Sequence, residues 1–215
     1  MLKVLELFSG TGSVGKCCKQ LSWEVVSLDI DPRASICCDI LDWNYKEYPK
    51  DSFELIWSSP PCDNYSILNY SNIGRKLKKD GEIFTKEKLE ANMNESDKLV
   101  LRTLEIIEYF DCQYWFMENP QTGKLKSREF MKDLFYIDVD YCMFCDWGYR
   151  KRTRIWTNKV ELKSTLCNNK CGNLIEGKKG LKHRLDVSDV SIKGMNRLDA
   201  RHRIPEDLIY SLLLD

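Results

Sequence analysis

Residues 2–21 read LKVLELFSGTGSVGKCCKQL and contain the first unit of an α/β fold. The apolar run at 2–8 predicts a buried strand, residues 9–13 predict a glycine turn, and residues 14–21 predict a helix. Glycines let the backbone approach a ligand closely, and the helix N-terminus behind the turn offers free N–H groups. Only two of the three glycines of the dinucleotide-binding pattern fall in register, so a pyrophosphate fits poorly. A nucleoside ligand and a purely structural turn both stay open.

Strand-like segments recur along the chain and alternate with helical ones, which is typical of βαβ units and a largely parallel sheet. The carboxyl ends of such strands form one crevice, where ligands bind in open α/β sheets. Asp29 ends the second strand, where a carboxylate can accept hydrogen bonds from ribose hydroxyls, and Asp39 follows one short segment later. The last two strands are expected to pair antiparallel across Gly148. The predicted strands cover 2–8, 23–30, 35–41, 53–59, 114–120, 135–144 and 152–158.

The rest of the chain has a weaker pattern. Apolar residues at helical spacing predict a helix over 97–110, and shorter helices are expected over 128–134 and 204–214. Residues 63–95 are polar and predict a long surface loop that folds partly into helix. Residues 159–203 are rich in Lys, Asn and Gly and contain no long periodic segment. We therefore expect a small appendage there rather than a second core.

The composition is that of a folded, water-soluble protein. Of the 215 residues, 43% are hydrophobic and 31% are charged, which excludes wholesale disorder and predicts one principal domain with a small appendage. No apolar run approaches the roughly 18 residues that a membrane-spanning helix needs, and the N-terminal residues do not resemble a signal peptide. We expect a cytoplasmic or nuclear location, no membrane partner, and ten cysteines that are thiols rather than disulfides.

The net charge of zero hides an uneven distribution of charged residues. Residues 120–205 contain 19 Lys and Arg against 10 Asp and Glu, whereas the remainder contains 14 against 23. A basic second half suits a polyanion such as nucleic acid, although a merely solvated basic face would give the same count.

Three short motifs place reactive or charged side chains at or near strand ends. Cys62 follows two prolines that stiffen the turn, and Glu118 lies near the end of another strand, at the same expected edge of the sheet. Arg152 and Arg154 lie two residues apart on one face of a strand, where they could bind phosphate or lower a thiol pKa. Each motif is weak alone, because a buried cysteine is usually a small packing residue.

The cysteines of the second half suggest a metal site. Cys142-x-x-Cys145 and Cys167-x-x-x-Cys171 form two close pairs, and His183 follows them. Zinc prefers four tetrahedral thiolate and imidazole ligands, so Cys142, Cys167, Cys171 and His183 could hold one ion in the appendage. Alternatively, Cys142 and Cys145 are ordinary strand residues, with Cys145 facing the other side. Five further cysteines are expected to be packing residues: Cys17, Cys18, Cys37, Cys38 and Cys112.

The order of the motifs resembles that of the DNA cytosine-5 methyltransferase family. The resemblance covers about residues 3–158, and the joint order is far more specific than any single motif. The short chain is similar to the compact members found in phages and large DNA viruses. The matching segments are ELFSGTGSVGK (6–16), LDID (28–31), CDIL (38–41), SSPPC (58–62), FMENP (116–120) and YRKRTRIW (149–156).

The resemblance implies a fold, a cofactor and a partner. The fold would be α/β, a Rossmann-like class I methyltransferase fold with a mostly parallel sheet, helices on both faces and a small basic appendage. Residues 1–158 would form the catalytic core, 159–203 a small basic recognition region, and 204–215 a C-terminal helix that packs back on the core. The cofactor would be S-adenosylmethionine, and the partner would be double-stranded DNA with the target cytosine flipped out.

The same resemblance assigns residues to the cofactor. The turn at residues 8–12 would cradle the methionine and adenosine parts of the molecule. Asp29 would bind the ribose, Ile30 would pack on the adenine, and Asp39 would contact the adenine amino group. The full expected set is Phe8, Gly10, Thr11, Gly12, Asp29, Ile30, Asp39, Ile40 and Pro60.

The resemblance assigns the chemistry to four residues. Cys62 would attack carbon 6 of the cytosine, which activates carbon 5 to take the methyl group. Protonated Glu118 would donate to N3 of the ring and bind the amino group. Arg152 and Arg154 would lie near the cysteine and the target base. The polar segment 63–95 would be a lid that closes over the flipped base.

The sequence also departs from the family pattern. Arg150 stands where the family usually has glutamine, and the usual terminal Gly-Asn motif is not visible. The recognition region is small, which suggests short or loose sequence specificity. Two alternatives therefore stay open: an RNA cytosine-5 methyltransferase of the transfer-RNA type on the same scaffold, and a non-catalytic nucleic-acid-binding homologue.

Overall fold

The computed structural model describes residues 1–77, 81–178 and 180–214. Seven strands within them form one sheet: β1 Lys3–Leu7, β2 Glu24–Asp29, β3 Ile36–Cys37, β4 Leu55–Ser58, β5 Tyr114–Pro120, β6 Tyr136–Asp140 and β7 Arg152–Thr157. Two more form a hairpin: β8 Leu174–Gly177 and β9 Gly180–His183. The α-helices are α1 Ser13–Gln20, α2 Lys86–Phe110, α3 Arg197–His202 and α4 Glu206–Leu214.

Parallel pairing dominates the large sheet, whose spatial order is β3-β2-β1-β4-β5-β7-β6. β1 pairs in parallel with β2 on one side and with β4 on the other, and β4 continues in parallel with β5. Only β7 runs antiparallel, between β5 and β6. The mostly parallel sheet and the antiparallel pairing of the last two strands, both predicted from the sequence, are confirmed.

Helices cover both faces of the sheet, as expected. α2 packs on the face that carries Leu5 and Ile56, whereas α1 and α4 pack on the face that carries Val4 and Trp57. Because both faces of β1 and β4 are buried, these strands are continuous apolar runs rather than alternating patterns. Within the described part of the chain, no helix combines the length and the apolarity needed to cross a membrane.

Helix α2 begins well inside the polar segment 63–95. Thr85 caps it by accepting a hydrogen bond from the Lys88 N–H, and Leu89 and Met93 extend its buried stripe toward the N-terminus. The predicted start at residue 97 was wrong because the polar residues between these anchors hid the helical spacing. The rest of the segment forms short 3-10 turns, and its residues 78–80 lie outside the described ranges.

Two other expected elements are shorter or absent. The strand predicted near 35–41 is reduced to the two residues of β3. The prediction of a helix over 128–134 is wrong, because no α-helix forms there. Two separate 3-10 turns flank Arg128, whose backbone is extended. Its guanidinium binds Asp97 of α2, with Nε 2.8 Å from Oδ2. This ion pair attaches the segment to α2, and the segment does not continue as a helix.

The basic appendage shares a small buried cluster with the loop that precedes β7. Its described part holds the β8–β9 hairpin and α3, and the side chains of Tyr149, Val190 and Ala200 form a separate buried cluster. α4 then packs beside α1, in the position expected of the terminal helix. Lys179 and Asp215 lie outside the described residues.

Glu6 of β1 is buried against the start of α1. Its carboxylate accepts a hydrogen bond from the Gly15 N–H at 3.1 Å, and a Cβ at Gly15 would lie 2.6 Å from the same oxygen. Glycine is therefore required here for the helix to approach β1 so closely. Burial raises the pKa of Glu6 to about 7, and the N–H groups of Gly15 and Val14 oppose that shift.

We expect Glu6→Gln to remove a pH-dependent loss of stability. Because the folded state holds this carboxyl proton more tightly than the unfolded chain does, the free energy of unfolding falls as the pH rises from about 4.5 to 7. Urea denaturation measures the free energy of unfolding of both proteins. The value for the variant minus the value for the wild type should be roughly 2–3 kcal/mol larger at pH 8 than at pH 5. The exposed Glu108→Gln is the control. Parallel pH profiles for Glu6→Gln and the wild type would contradict the prediction.

Candidate active site

A cavity of about 580 Å³ opens at the carboxyl edge of the parallel strands. Its volume falls within the roughly 300–1,000 Å³ of small-molecule sites. The loops that follow β1, β2, β4 and β5 all contribute to its wall, because parallel strands end at the same edge of a sheet. From the expected cofactor set, the wall includes Phe8, Gly10, Thr11, Asp29, Ile30, Asp39, Ile40 and Pro60, but not Gly12.

Asp29, at the end of the neighbouring strand β2, holds the glycine turn in place. One carboxylate oxygen of Asp29 accepts a hydrogen bond from the Gly10 N–H at 2.8 Å, and the other accepts from the Asp31 N–H at 2.9 Å. Gly12, with a left-handed φ of 65°, caps α1 without any side-chain hydrogen bond. The Gly15 and Val14 N–H groups in the first turn of this helix bond instead to the buried Glu6 carboxylate, so they are not free for a ligand.

Cys62 lies in the same cavity, after the Ser59-Pro60-Pro61 turn that closes β4. The side chain is half-buried. Burial and, to a lesser extent, the charge of Glu118 raise the pKa of its thiol to about 11, and the Lys151 ammonium opposes both effects. The resting side chain is therefore a neutral thiol at physiological pH.

Glu118 reaches the cavity from the carboxyl end of β5 and is almost fully buried. Its Oε1 accepts a hydrogen bond from the Tyr141 hydroxyl at 3.0 Å and lies 3.6 Å from Lys151 Nζ. Lys151 also lines the cavity, and its ammonium donates to the Arg201 carbonyl at 3.4 Å. Cys62, Glu118 and Lys151 thus line the same cavity, and the charges of Glu118 and Lys151 both act on the pKa of the thiol.

A buried amide joins the loops that carry Cys62 and Glu118. Asn119 is fully buried, and its Nδ2 donates to the Pro60 carbonyl at 2.9 Å. This hydrogen bond connects the end of β5 to the double proline just before the cysteine. The spacing between the thiol and the carboxyl group is therefore set by backbone and buried side chains rather than by mobile surface groups.

A relative from Frog virus 3 (isolate Goorha), named "Probable DNA (cytosine-5)-methyltransferase", is 36% identical to this chain over 220 residues, which cover 99% of each protein. The chain belongs to the DNA (cytosine-5)-methyltransferase family. No protein-family model matches it.

Solved structures share the fold of this family member. A prophage-encoded protein of E. coli, assigned as a DNA modification methyltransferase, is 14% identical with a TM-score of 0.50, over 73% of this chain and 46% of that one. The Entamoeba histolytica methyltransferase EhMeth is 17% identical with a TM-score of 0.50, over 77% and 56%. The chain spans about half the length of these two proteins, and at such identity the likeness concerns the fold alone.

The half of the cavity beside the glycine turn fits the S-adenosylmethionine that this family uses. Ile30 is 75% exposed although it is apolar, and it lines the cavity as an uncovered flat surface suited to an adenine ring. Asp29 and Asp39 supply carboxylates beside it for hydroxyl and amino groups. The apolar side chain and the two carboxylates therefore fit a nucleoside.

The two arginines expected beside the cysteine do not line the cavity. Arg152 donates from Nε and Nη2 to Asp140, at 2.9 Å each, and Arg154 donates in the same way to Asp138, at 2.8 and 2.9 Å. Each acid lies directly opposite its arginine on β6. The two aspartates, spaced two residues apart in the predicted neighbouring strand, were the sequence signal for this pairing.

Lys151 and the α3 region were missed by the sequence analysis. Lys151 lies one residue from the expected arginine pair, where β7 begins, and it alone of the three basic side chains reaches the cavity wall. Leu198, Arg201 and His202 close the wall from the far end of the chain. No periodic or motif signal marks these three residues, because their proximity to the glycine turn is created only by folding.

The four expected metal ligands are brought together away from the cavity. The Sγ atoms of Cys142, Cys167 and Cys171 and a ring nitrogen of His183 all lie within 4.8 Å of one another. Cys145 faces elsewhere and donates from Sγ to the Tyr141 carbonyl at 3.1 Å. Of the five cysteines expected to pack, Cys37 is exposed and Cys38 is half-exposed, whereas the others are buried: Cys17, Cys18 and Cys112.

Asn119→Asp should destabilise the protein by roughly 1–3 kcal/mol in urea denaturation. The substitution keeps the shape of the side chain, but it removes the N–H donor from the Pro60 carbonyl and buries an additional acceptor against it. Asn158→Asp is the matched control, because its amide makes the same kind of bond to the Gln113 carbonyl on the exposed surface. If both variants lost the same free energy of unfolding, the buried hydrogen bond would contribute no more to stability than the exposed one.

Proposed function

We propose that the protein transfers a methyl group from S-adenosylmethionine to carbon 5 of cytosine in DNA, through a covalent bond to Cys62. One observation carries the proposal: Cys62 and Glu118, at the ends of neighbouring parallel strands, face the same cavity as the Gly10–Asp29 hydrogen bond. Membership of the DNA (cytosine-5)-methyltransferase family supports the same assignment.

S-adenosylmethionine supplies an electrophilic methyl group when bound. In the proposal, Asp29 has two tasks, since it holds the glycine turn through the Gly10 N–H and offers its carboxylate to the ribose. Ile30 provides the apolar surface for the adenine, and Asp39 accepts from the adenine amino group. The turn at residues 8–11 forms the floor of this half of the cavity.

Cys62 would act as the nucleophile. The thiol loses its proton to solvent, its sulfur forms a bond to carbon 6 of the cytosine, and the electron pair of the 5,6 double bond moves toward carbon 5 and N3. Glu118 binds N3 and the exocyclic amino group and donates a proton to N3, which stabilises the charge that develops there. After methylation, a base removes the carbon 5 proton, the S–C6 bond breaks as the 5,6 double bond forms again, and N3 returns its proton to Glu118, so Cys62 is released as a thiolate.

Lys151 is the cation that we assign to the activation of Cys62. Its ammonium lies beside Glu118 and opposes the raised pKa of the thiol. Arg152 and Arg154 were expected in this role, but both guanidiniums are neutralised by aspartates on β6. In the proposal these two arginines support the cavity wall through the β6–β7 pairing and do not touch the thiol.

Double-stranded DNA could reach this site only with its target base outside the helix stack. Cys62 and Glu118 lie inside a cavity, and a stacked base cannot enter it, so the proposal includes base flipping. Of segment 63–95, residues 63–77 follow Cys62 directly and would cover the flipped base, whereas residues 86–95 belong to α2 and pack on the sheet. A DNA substrate would also place the protein in the cytoplasm or the nucleus.

Cys62→Ser should lower methyl transfer to DNA on the order of 10³-fold or more, because a hydroxyl is a far weaker nucleophile than a thiol. Radiolabelled S-adenosylmethionine with DNA and RNA substrates measures the transfer. Cys112→Ser is the control, since Cys112 lies at the opposite edge of the sheet and its bond to the Tyr114 carbonyl survives the change.

The outcomes of this assay separate the alternatives. Labelled DNA that disappears in Cys62→Ser supports the proposal. Labelling of RNA but not of DNA would show that the substrate is RNA. Binding of DNA with no labelling would indicate a non-catalytic homologue. Labelling that persists in Cys62→Ser would contradict the covalent mechanism.

Lys151→Met should slow alkylation of Cys62 by iodoacetamide roughly three- to tenfold at pH 7.5, because the thiol pKa rises further without the ammonium. The deficit should shrink as the pH approaches the pKa of the thiol. Lys151→Arg keeps the charge and should react at nearly the wild-type rate. Peptide mass spectrometry isolates the Cys62 signal, and the exposed Lys182→Met is the control. A constant deficit at every pH would indicate altered access rather than altered charge.

A further inference from the structure

We propose that Cys142, Cys167, Cys171 and His183 bind a structural zinc ion, which fastens the basic appendage to the catalytic sheet. The site is separate from the cavity, since none of the four residues lines its wall. The inference is therefore independent of methyl transfer, and its test needs no activity assay.

The spacing of the ligand atoms matches a tetrahedral zinc site. Zinc bonds of about 2.3 Å to sulfur and 2.0–2.1 Å to nitrogen imply S···N separations of about 3.5 Å. His183 Nε2 lies 3.3 Å from Cys142 Sγ, 3.6 Å from Cys167 Sγ and 3.3 Å from Cys171 Sγ. The four atoms are thus arranged around one point at the distances that a shared ion would impose.

Hydrogen bonding alone does not explain this arrangement. A neutral imidazole nitrogen has either one hydrogen or one lone pair, so it can make one good hydrogen bond, whereas three sulfur atoms surround Nε2 of His183. Thiols are also weak donors and weak acceptors. A divalent cation at the centre bonds to all four groups at once, with the cysteines as thiolates.

The backbone around the cluster is built to hold the ligands in place. The Cys167 N–H donates to Asp140 at 2.9 Å, which is the carboxylate that also binds Arg152. The buried Asn173 amide donates to the carbonyl oxygens of Cys142 and Cys145, at 3.1 and 2.7 Å. These bonds join the loop that carries Cys167 and Cys171 to the end of β6 and support the ligands from outside the site.

Four protein ligands leave no open coordination position, which is the mark of a structural rather than a catalytic zinc. Cys142 comes one residue after Tyr141, whose hydroxyl binds Glu118, and His183 ends the β8–β9 hairpin. The chain then leads to Val187 and Leu198, which form part of the cavity wall. An ion at this point therefore connects the appendage, which has little core of its own, to the wall of the active site.

Metal analysis of the purified full-length protein, kept under a thiol reductant, tests the proposal. We expect about one zinc per chain, a several-fold loss of zinc in Cys171→Ser, and full retention in Cys145→Ser. Cys145 is the matched control because it lies near the cluster but bonds to the Tyr141 carbonyl instead. Zinc-stripped wild type reloaded with Co²⁺ alone should show the visible bands of a tetrahedral cobalt site with thiolate charge transfer.

The cobalt spectrum keeps the proposal falsifiable if Cys171→Ser does not fold, since it uses the wild-type chain. Wild type that holds no stoichiometric zinc and gives no tetrahedral cobalt spectrum would overturn the proposal. So would a disulfide between two of the three cysteines in protein that is purified with the reductant. If Cys145→Ser lost as much zinc as Cys171→Ser, the four proposed residues would not be the zinc ligands.

Discussion

The parallel register of β1, β4 and β5 is the constraint on which the rest of the structure depends. Leu7 pairs with Ser58, and Ser58 pairs with Met117, so the three chains leave the sheet at the same level. This alignment brings the glycine turn, the double proline with Cys62, and Glu118 to one cavity. A slip of one residue in any of these strands would turn its side chains to the opposite face and would separate the thiol from the carboxyl group.

The sequence was sufficient for those parts of the molecule that depend on strand order. Parallel strands share one functional edge, so Asp29, Cys62 and Glu118 could be placed together without coordinates. The cation beside the thiol could not be placed, because neighbouring residues near the start of a strand project in different directions. Lys151 reaches the cavity, whereas Arg152 is turned to Asp140 on the adjacent strand. Only the register of β6 against β7 decides between them.

Contacts between the two ends of the chain explain why other parts of the site were not predicted from the sequence. The Ile204 N–H donates to Ser13 Oγ at 3.3 Å, and Arg33 binds Asp199, so the end of the chain folds over the glycine turn at its beginning. Segments 187–202 lack helical or strand periodicity, and their packing is set by contacts that no local pattern encodes. The cluster of three cysteines and His183 is the exception, since residue type and spacing predicted its four members although they lie up to 41 residues apart.

The resting state of the thiol links binding of the base to the proposed chemistry. Burial and the charge of Glu118 keep Cys62 protonated, which protects an otherwise nucleophilic side chain from oxidation and alkylation. In the proposal, a proton from solvent enters between the Glu118 carboxylate and N3 when the cytosine binds, so part of the negative charge facing the thiol would be removed. The Lys151 ammonium would then act on Cys62 with less opposition. In the proposed reaction the arrival of the substrate would therefore lower the pKa of the nucleophile.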